Sequence, residues 1–276
     1  MTESAIDTNN RRAYSSRTAL KFYGHQSALF PAERAILEKL RPQIAGKRLL
    51  DIGIGAGRTT PYLLEISRTY VGIDYSPRLI ECARTKFGID TLYQCDARDM
   101  QLLADGPFDF ALFSFNGLDC LSHEGRLKAL REIRRVLRTG GLLVFSSHNR
   151  EWRYTGKPPW SMMRAEQWTR ASLKAFIWAC ALQLRHRRMR RLEVNETDYA
   201  ILNDIGLRYR CLIYFINIRA QIEQLRQLGF GPVDSYDMEG RRVESDDESP
   251  WIYYITRKSA LPIADHGRQC ANATAD

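Results

Sequence analysis

Three glycines at alternating positions and three aspartates at intervals of about 22 residues carry the chemistry this sequence can offer. The glycines stand in Leu49-Leu50-Asp51-Ile52-Gly53-Ile54-Gly55-Ala56-Gly57-Arg58. Lacking Cβ, they permit positive φ and let a ligand lie against the backbone. The aspartates are Asp51, Asp74 and Asp96. A carboxylate can accept two hydrogen bonds from vicinal ribose hydroxyls, or one from an exocyclic adenine amine. Together the two sets point to an adenosine-type ligand. A dinucleotide fingerprint, G-x-G-x-x-G, would need glycine at 58, where arginine stands. No G-x-x-x-x-G-K-[ST] loop is present, which disfavours ATP hydrolysis.

Such residues need a strand-end setting, and the surrounding pattern supplies one. Arg48 to Ile52 reads as a buried strand, and Arg58 to Glu65 takes up a helical pattern. Tyr70 to Asp74, Thr91 to Asp96, Phe108 to Phe115 and Leu142 to Ser147 read as four further strands. Between them, Ser76-Pro77 starts a helix to about Phe87. Glu124 to Leu137 forms another, which Gly140-Gly141 is expected to end. Alternating strands and helices imply a parallel sheet with right-handed crossovers. Asp51 then lies just before the turn, and Asp74 and Asp96 end strands two and three, where ligands of such sheets bind.

Before this core, residues 1–12 are expected to be loosely held. Ala13 to Gln26 reads as a short helix or lid carrying Tyr14 and Tyr23, and Pro31 to Leu40 as a helix stopping near Pro42. After it, Glu151 to Arg164 reads as loop, Ala171 to Leu184 as an apolar helix, and Arg185 to Arg191 as a basic run. Tyr199 to Leu202 and Arg208 to Ile216 remain open between strand and coil. Ile218 to Leu228 is helical, Pro232 to Met238 and Trp251 to Thr256 read as two strands, and the tail after Arg257 is polar.

The 276 residues allow one or two domains, and no stretch has the ~20 apolar residues of a membrane span. Met1 to Arg12 has no apolar core and does not read as a secretory signal. Six scattered cysteines form no C-x-x-C pair, so no metal site or disulfide scaffold is indicated, and free thiols fit a cytoplasmic setting. The net charge of +9 is local: residues 150–191 hold 11 Lys/Arg against 2 Asp/Glu, while the remainder balances.

These motifs resemble those of the class I S-adenosylmethionine-dependent methyltransferases. Asp51-x-Gly53-x-Gly55-x-Gly57 is similar to their first motif, Val71-Gly72-Ile73-Asp74 to the second and Cys95-Asp96-Ala97 to the third. Phe108-Asp109-Phe110-Ala111 resembles their fourth strand, and Leu137-Arg138-Thr139-Gly140-Gly141-Leu142 the turn before the fifth. The likeness covers about residues 44–150, and more weakly the last helix and strand pair.

The resemblance implies a Rossmann-like, doubly wound α/β fold: a mostly parallel seven-stranded sheet with an antiparallel last strand, plus an insertion after strand five. It implies one methyltransferase domain over 1–276. Within it, 1–43 would be N-terminal lid and helices, 44–150 the cofactor-binding core, 151–210 a substrate-side insertion, 211–258 the last helix and strand pair, and 259–276 a tail. It implies S-adenosyl-L-methionine as cofactor, with Gly53, Gly55 and Gly57 passing close to its methionine part. Asp51 would orient its ammonium, Asp74 hold its ribose, and Asp96 with the Ala97 backbone read adenine. Asn116 would shape the pocket or the methionine end.

An acceptor would lie at the ends of strands four and five, beside Asn116, Asp119, His123 and His148-Asn149. His148 is the first candidate for a general base, against a strand-end histidine bonded to a loop carbonyl. His123 is the second, against a cap of the following helix. Arg58 either pairs the cofactor carboxylate or is an exposed first-turn residue. The basic run 185–191 reads first as a solvated loop, then as a site for an anionic substrate, then for RNA or a membrane surface. The aspartate/asparagine-Pro-Pro-aromatic motif of the family's nucleobase-amine methylating members is replaced by Ser114-Phe115-Asn116-Gly117. The expectation is a small-molecule or glycan methyltransferase, O- before N-, with an RNA methyltransferase or a catalytically inactive partner subunit as alternatives.

Overall fold

A computed structural model describes residues 4–24, 26–103, 107–156, 173–204, 206–245 and 247–260. The expectations for residues 157–172 and for the tail from 261 lie outside the described residues. In chain order the elements are α1 (Ala5–Tyr14), α2 (Arg17–Tyr23), α3 (Pro31–Ile44), β1 (Leu49–Ile52), α4 (Thr60–Ile66), β2 (Tyr70–Asp74), α5 (Pro77–Phe87), β3 (Leu92–Gln94), β4 (Phe108–Phe113), α6 (His123–Val136) and β5 (Leu137–Asn149). There follow α7 (Leu173–Met189), β6 (Val194–Asn195), β7 (Tyr199–Asn203), β8 (Leu212–Ile216), α8 (Ile218–Gln227), β9 (Asp234–Tyr236) and β10 (Trp251–Arg257).

The central sheet runs β3-β2-β1-β4-β5, all parallel, with β10 antiparallel on the far side of β5 and β9 beyond it. The order reverses between β1 and β4, so the crevice for a ligand opens at their carboxyl ends. Side chains alternate between two apolar layers. Leu49, Val144 and Tyr253 pack on one face with residues of α3, α4 and α5. Leu50, Phe145 and Tyr254 pack on the other with α6 and α8. A parallel sheet buried on both faces reads as continuous apolar runs, and the sequence shows such runs here.

Four features depart from the sequence-based expectation. Among the described residues the sheet has ten strands rather than seven, because β8, β7 and β6 form an antiparallel meander joined to the end of β5. His148 in β5 pairs with Trp251 of β10 on one side and Phe215 of β8 on the other. Second, residues 5–14 are helical, not loosely held: Ser4 caps α1 by accepting from the Asp7 amide, and Asp7, Asn10 and Ala13 are buried. Third, the glycine pair after α6 does not cap the helix. β5 already begins at Leu137, and Gly140, at φ 75°, sits where the register against β4 shifts. That is the behaviour of a β-bulge glycine. Fourth, Arg185 to Met189 continue α7 rather than forming a loop, in keeping with the good helix propensity of Arg and Met. Among the described residues no helix is long and apolar enough to cross a membrane.

Candidate active site

The glycine turn shows why each glycine is there. Gly53 has φ 66°, and a Cβ on it would lie 2.8 Å from the Phe113 ring. Gly57 has φ 84°, and its Cβ would lie 2.3 Å from the Phe87 ring of α5, so this glycine admits close packing behind the turn. At Gly55 the nearest atom to a Cβ is 3.9 Å away, on Tyr23, leaving open space on the cavity side. A cavity of about 120 Å³ lies against this turn. Gly53, Gly55, Asp74, Asp96 and Ala97 line it; Gly57, Asp51, Asn116, His123 and His148 do not.

Asp74 ends β2 with its two oxygens on backbone amides: Oδ2 accepts from Gly55 N at 2.9 Å and Oδ1 from Ser76 N at 2.8 Å. Each oxygen keeps one lone pair for a further donor. Burial pushes its pKa up to about 6, against the pull of the two amides. Asp51 lies beneath the turn, where Oδ2 accepts from Thr59 Oγ1 at 2.6 Å and from the Tyr70 hydroxyl at 3.0 Å. Its Oδ1 is buried without a partner. Burial, opposed by these two hydroxyls, raises the Asp51 pKa to about 7.

Asp96 is engaged differently from the expectation. Oδ1 accepts from Arg98 N and Nε, at 2.9 and 3.0 Å, and Oδ2 from Arg98 Nη2 at 2.8 Å. Oδ2 also accepts from Arg11 Nη2 of α1. Four donors fill the carboxylate's acceptor sites. Burial works to raise its pKa, but Arg98 and then Arg11 hold it below the usual range.

Arg11 belongs to a cover that the sequence reading left loose. Asp7, Asn10, Arg11 and Tyr14 of α1, with Tyr23 of α2, line the cavity. The spacing of Asp7, Asn10, Arg11 and Tyr14 puts them on one helix face, and that polar stripe was the available signal. Asp7 pairs with Arg98 at 3.1 Å and accepts from the Ser122 amide at 2.8 Å. Asn10 donates to Leu212 O at 2.7 Å and accepts from Leu212 N at 2.9 Å, tying the cover to β8.

Arg58 is neither exposed nor free. It is buried, donating to Glu33 of α3 through both terminal nitrogens at 2.5 and 2.7 Å, and to Ser114 Oγ at 2.7 Å. Its guanidinium lies 4.8 Å from the centre of the Phe30 ring. Glu33 also accepts from the Phe30 amide at the start of α3. No local sequence signal links residues 33 and 58.

On the acceptor side the structure joins three of the five candidates. Phe115 and Asn116 both take left-handed backbone, φ 51° and 55°, at the exit of β4. Asn116 Nδ2 lies 3.3 Å from His148 Nε2, while Asn116 Oδ1 is buried without a partner. His148 Nδ1 lies 2.7 Å from Asp119 Oδ2, and its backbone N donates to the same oxygen at 2.6 Å. Phe115 and Gly117, the neighbours of Asn116, line the cavity, so Asn116 links its wall to His148. His123 stands apart. Its Nδ1 lies 2.8 Å from the Tyr214 hydroxyl, and its ring stacks on Tyr199 at 4.2 Å. Burial, then the Arg126 charge, lowers its pKa. Among the described residues no group of three His, Cys, Asp or Glu could hold a metal ion.

The methyltransferase domain family matches residues 50–145. The chain is 32% identical over 148 residues to a protein named probable tRNA methyltransferase 9B of Mus musculus, covering 52% of this chain and 31% of that protein. It is 30% identical over 116 residues to a ubiquinone biosynthesis O-methyltransferase of Xanthomonas oryzae pv. oryzae, covering 40% of this chain and 46% of that one. The match thus spans less than half of either relative. In fold it is similar to the CcbJ methyltransferase of Streptomyces caelestis, with a TM-score of 0.58 at 14% identity, covering 90% of this chain and 98% of that one. A 1,6-didemethyltoxoflavin-N1-methyltransferase of Burkholderia thailandensis gives a TM-score of 0.57 at 16% identity, covering 94% and 92%. Residues 50–145 thus match the methyltransferase domain family, and the fold is similar to that of solved methyltransferases.

Proposed function

We propose that this protein transfers a methyl group from S-adenosyl-L-methionine to a hydroxyl of a small-molecule or glycan acceptor. The observation that carries the reading is the cavity at the β1/β4 switch point. Open backbone at Gly55 and the remaining acceptor capacity of Asp74 meet there. The residues fit the cofactor. Asp74 would hold the ribose hydroxyls, Gly53 and Gly55 the methionine part, and Ala97 with Asp96 the adenine once Arg11 withdraws. Asp51 offers its unpartnered Oδ1 beneath the turn. When bound, the cofactor supplies a methyl on a sulfonium, and the electron pair of the broken C–S bond stays with sulfur.

Because the donor is already activated, the chain's own work is to position the acceptor and exclude water. A hydroxyl acceptor gains from a base, and His148 is the residue assigned to it. Its Nε2 takes the hydroxyl proton as the oxygen turns to the methyl carbon. The O-methyltransferase among the relatives supports this choice of acceptor. His123, turned onto Tyr199 and Tyr214, is left to packing.

A second reading, RNA methylation, draws on the relative named as a tRNA methyltransferase and on exposed Arg187, Arg188 and Arg191 near the end of α7. Two experiments test the set. Calorimetric titration should give saturable heat with S-adenosylmethionine; none at millimolar cofactor sinks the proposal. Radiolabelled methyl appearing in small molecules or glycans supports the first reading, in RNA the second. Cofactor binding with no label in either would favour an inactive partner subunit.

A further inference from the structure

The most completely buried polar network of the acceptor side ends on a single ring nitrogen. Asp119, in the short 3-10 turn Gly117–Cys120, and Arg126, in α6, both have side chains wholly out of solvent. Arg126 Nη1 donates to Asp119 Oδ1 at 2.5 Å. Its Nη2 donates to Gln221 Oε1 at 2.5 Å and Ser147 Oγ at 3.1 Å, and its Nε to Gln224 Oε1 at 3.2 Å. The guanidinium rests 4.5 Å from the centre of the Tyr214 ring. Ser147 Oγ returns to Asp119 Oδ1 at 2.7 Å.

A buried ion pair is weak support for stability, since desolvating two charges offsets most of their attraction. The division of the Asp119 oxygens is more telling. An aspartate serving only to neutralise Arg126 would meet its fork with both oxygens. Asp119 gives Arg126 one oxygen, and Oδ2 goes to the amide and Nδ1 of His148. The amide bond fixes where the ring starts, and the ring bond fixes how it is turned. A carboxylate accepts only, so the ring nitrogen facing it carries the proton. Nε2 is then the unprotonated nitrogen, and the Asn116 amide directed at its lone pair from 3.3 Å suits an acceptor there. At 22% exposure the His148 side chain is where this network reaches solvent.

We propose that Asp119, held by Ser147 and by an Arg126 that Gln221 and Gln224 hold in turn, is a positioning residue that fixes His148 as the Nδ1–H tautomer and leaves Nε2 to accept the proton of an acceptor hydroxyl in place of the Asn116 amide. The proposal rests on the methyltransferase reading for its purpose, but not for its geometry. Carboxylate, imidazole and acceptor stand in the relation by which the aspartate of a serine-protease triad sets the tautomer of its histidine. Removing the charge while keeping the shape then turns the ring nitrogens around.

The test is long-range nitrogen–proton NMR on the full chain labelled with 15N-histidine. The His148 signal is the one lost in His148→Gln. With the ring neutral, the wild-type spectrum should show Nδ1 protonated and Nε2 bare, and Asp119→Asn should move the proton to Nε2 in most molecules. A proton on Nε2 in the wild type overturns the proposal. So does an unchanged tautomer in a folded Asp119→Asn, since a purely structural carboxylate leaves the ring as it was. Should that variant fail to fold, the wild-type spectrum alone decides. Calorimetry with S-adenosylmethionine on the same wild-type sample separates the two layers: absent heat removes the functional reading and leaves the tautomer result standing.

Discussion

The cofactor side and the acceptor side of the crevice are built by different means. At the ends of β1, β2 and β3 the groups facing the cavity are backbone, or carboxylates of two kinds: Asp74 rests on the Gly55 and Ser76 amides, whereas Asp96 is held by the guanidinium groups of Arg98 and Arg11 with one backbone amide. Beyond β4 and β5 the polar groups hold one another across long stretches of chain. Arg126 meets Asp119, Gln221 and Gln224, and Asn10 meets Leu212. A backbone cradle tolerates change around it, because its donors are fixed by φ and ψ. A buried side-chain network does not, because each lost member strands another.

The contrast can be broken first at Arg126. Arg126→Met should strand the Asp119 charge and cost about 3–5 kcal/mol in urea unfolding. A loss under 1 kcal/mol would mean the network is not cooperative. On the cofactor side the largest effect belongs to Gly57→Ala. It adds a left-handed alanine, roughly 1–2 kcal/mol, and overpacking against Phe87, roughly 1–3 kcal/mol. Its effect should appear as lost stability, since Gly57 does not line the cavity.

Asp74→Ala should instead weaken S-adenosylmethionine about tenfold to a hundredfold by calorimetry, the range for hydrogen bonds to a charged group. With the Asp74 pKa near 6, wild-type affinity should also fall as pH drops through 6. The last effect is a slope. Asp51 titrates near 7 when folded and in the ordinary carboxylate range, near 4, when unfolded. The folded state therefore binds the extra proton between these values, and stability declines as pH rises from about 4 to 7. Asp51→Asn should flatten that decline in thermal melts recorded at pH 5, 6 and 7; an unaltered slope would put the cause elsewhere.

Legibility in the sequence followed the same division. The strand–glycine–helix unit and the strand-end aspartates were readable because each depends on residues within a few positions of itself. Gly140 was misread as a helix stop because a positive-φ glycine suits a cap and a bulge alike, and pairing with β4 chooses between them. The ten-strand sheet was not foreseen, since Tyr199 to Asn203 and Leu212 to Ile216 gain their strand character from pairing with each other. Arg58 read as exposed or ligand-facing; it lines the cavity, but buried and paired with Glu33.

By itself the sequence determined the glycine bend and the strand-end places of the three carboxylates, because turn conformation and apolar periodicity are local properties. Tertiary structure alone decided which of those groups are free. It gave Asp96 to Arg98 and Arg11, Arg58 to Glu33, His123 to Tyr214 and His148 to Asp119. The reason is physical: a buried charge or ring nitrogen is defined by the partner that satisfies it, and that partner can lie anywhere along the chain.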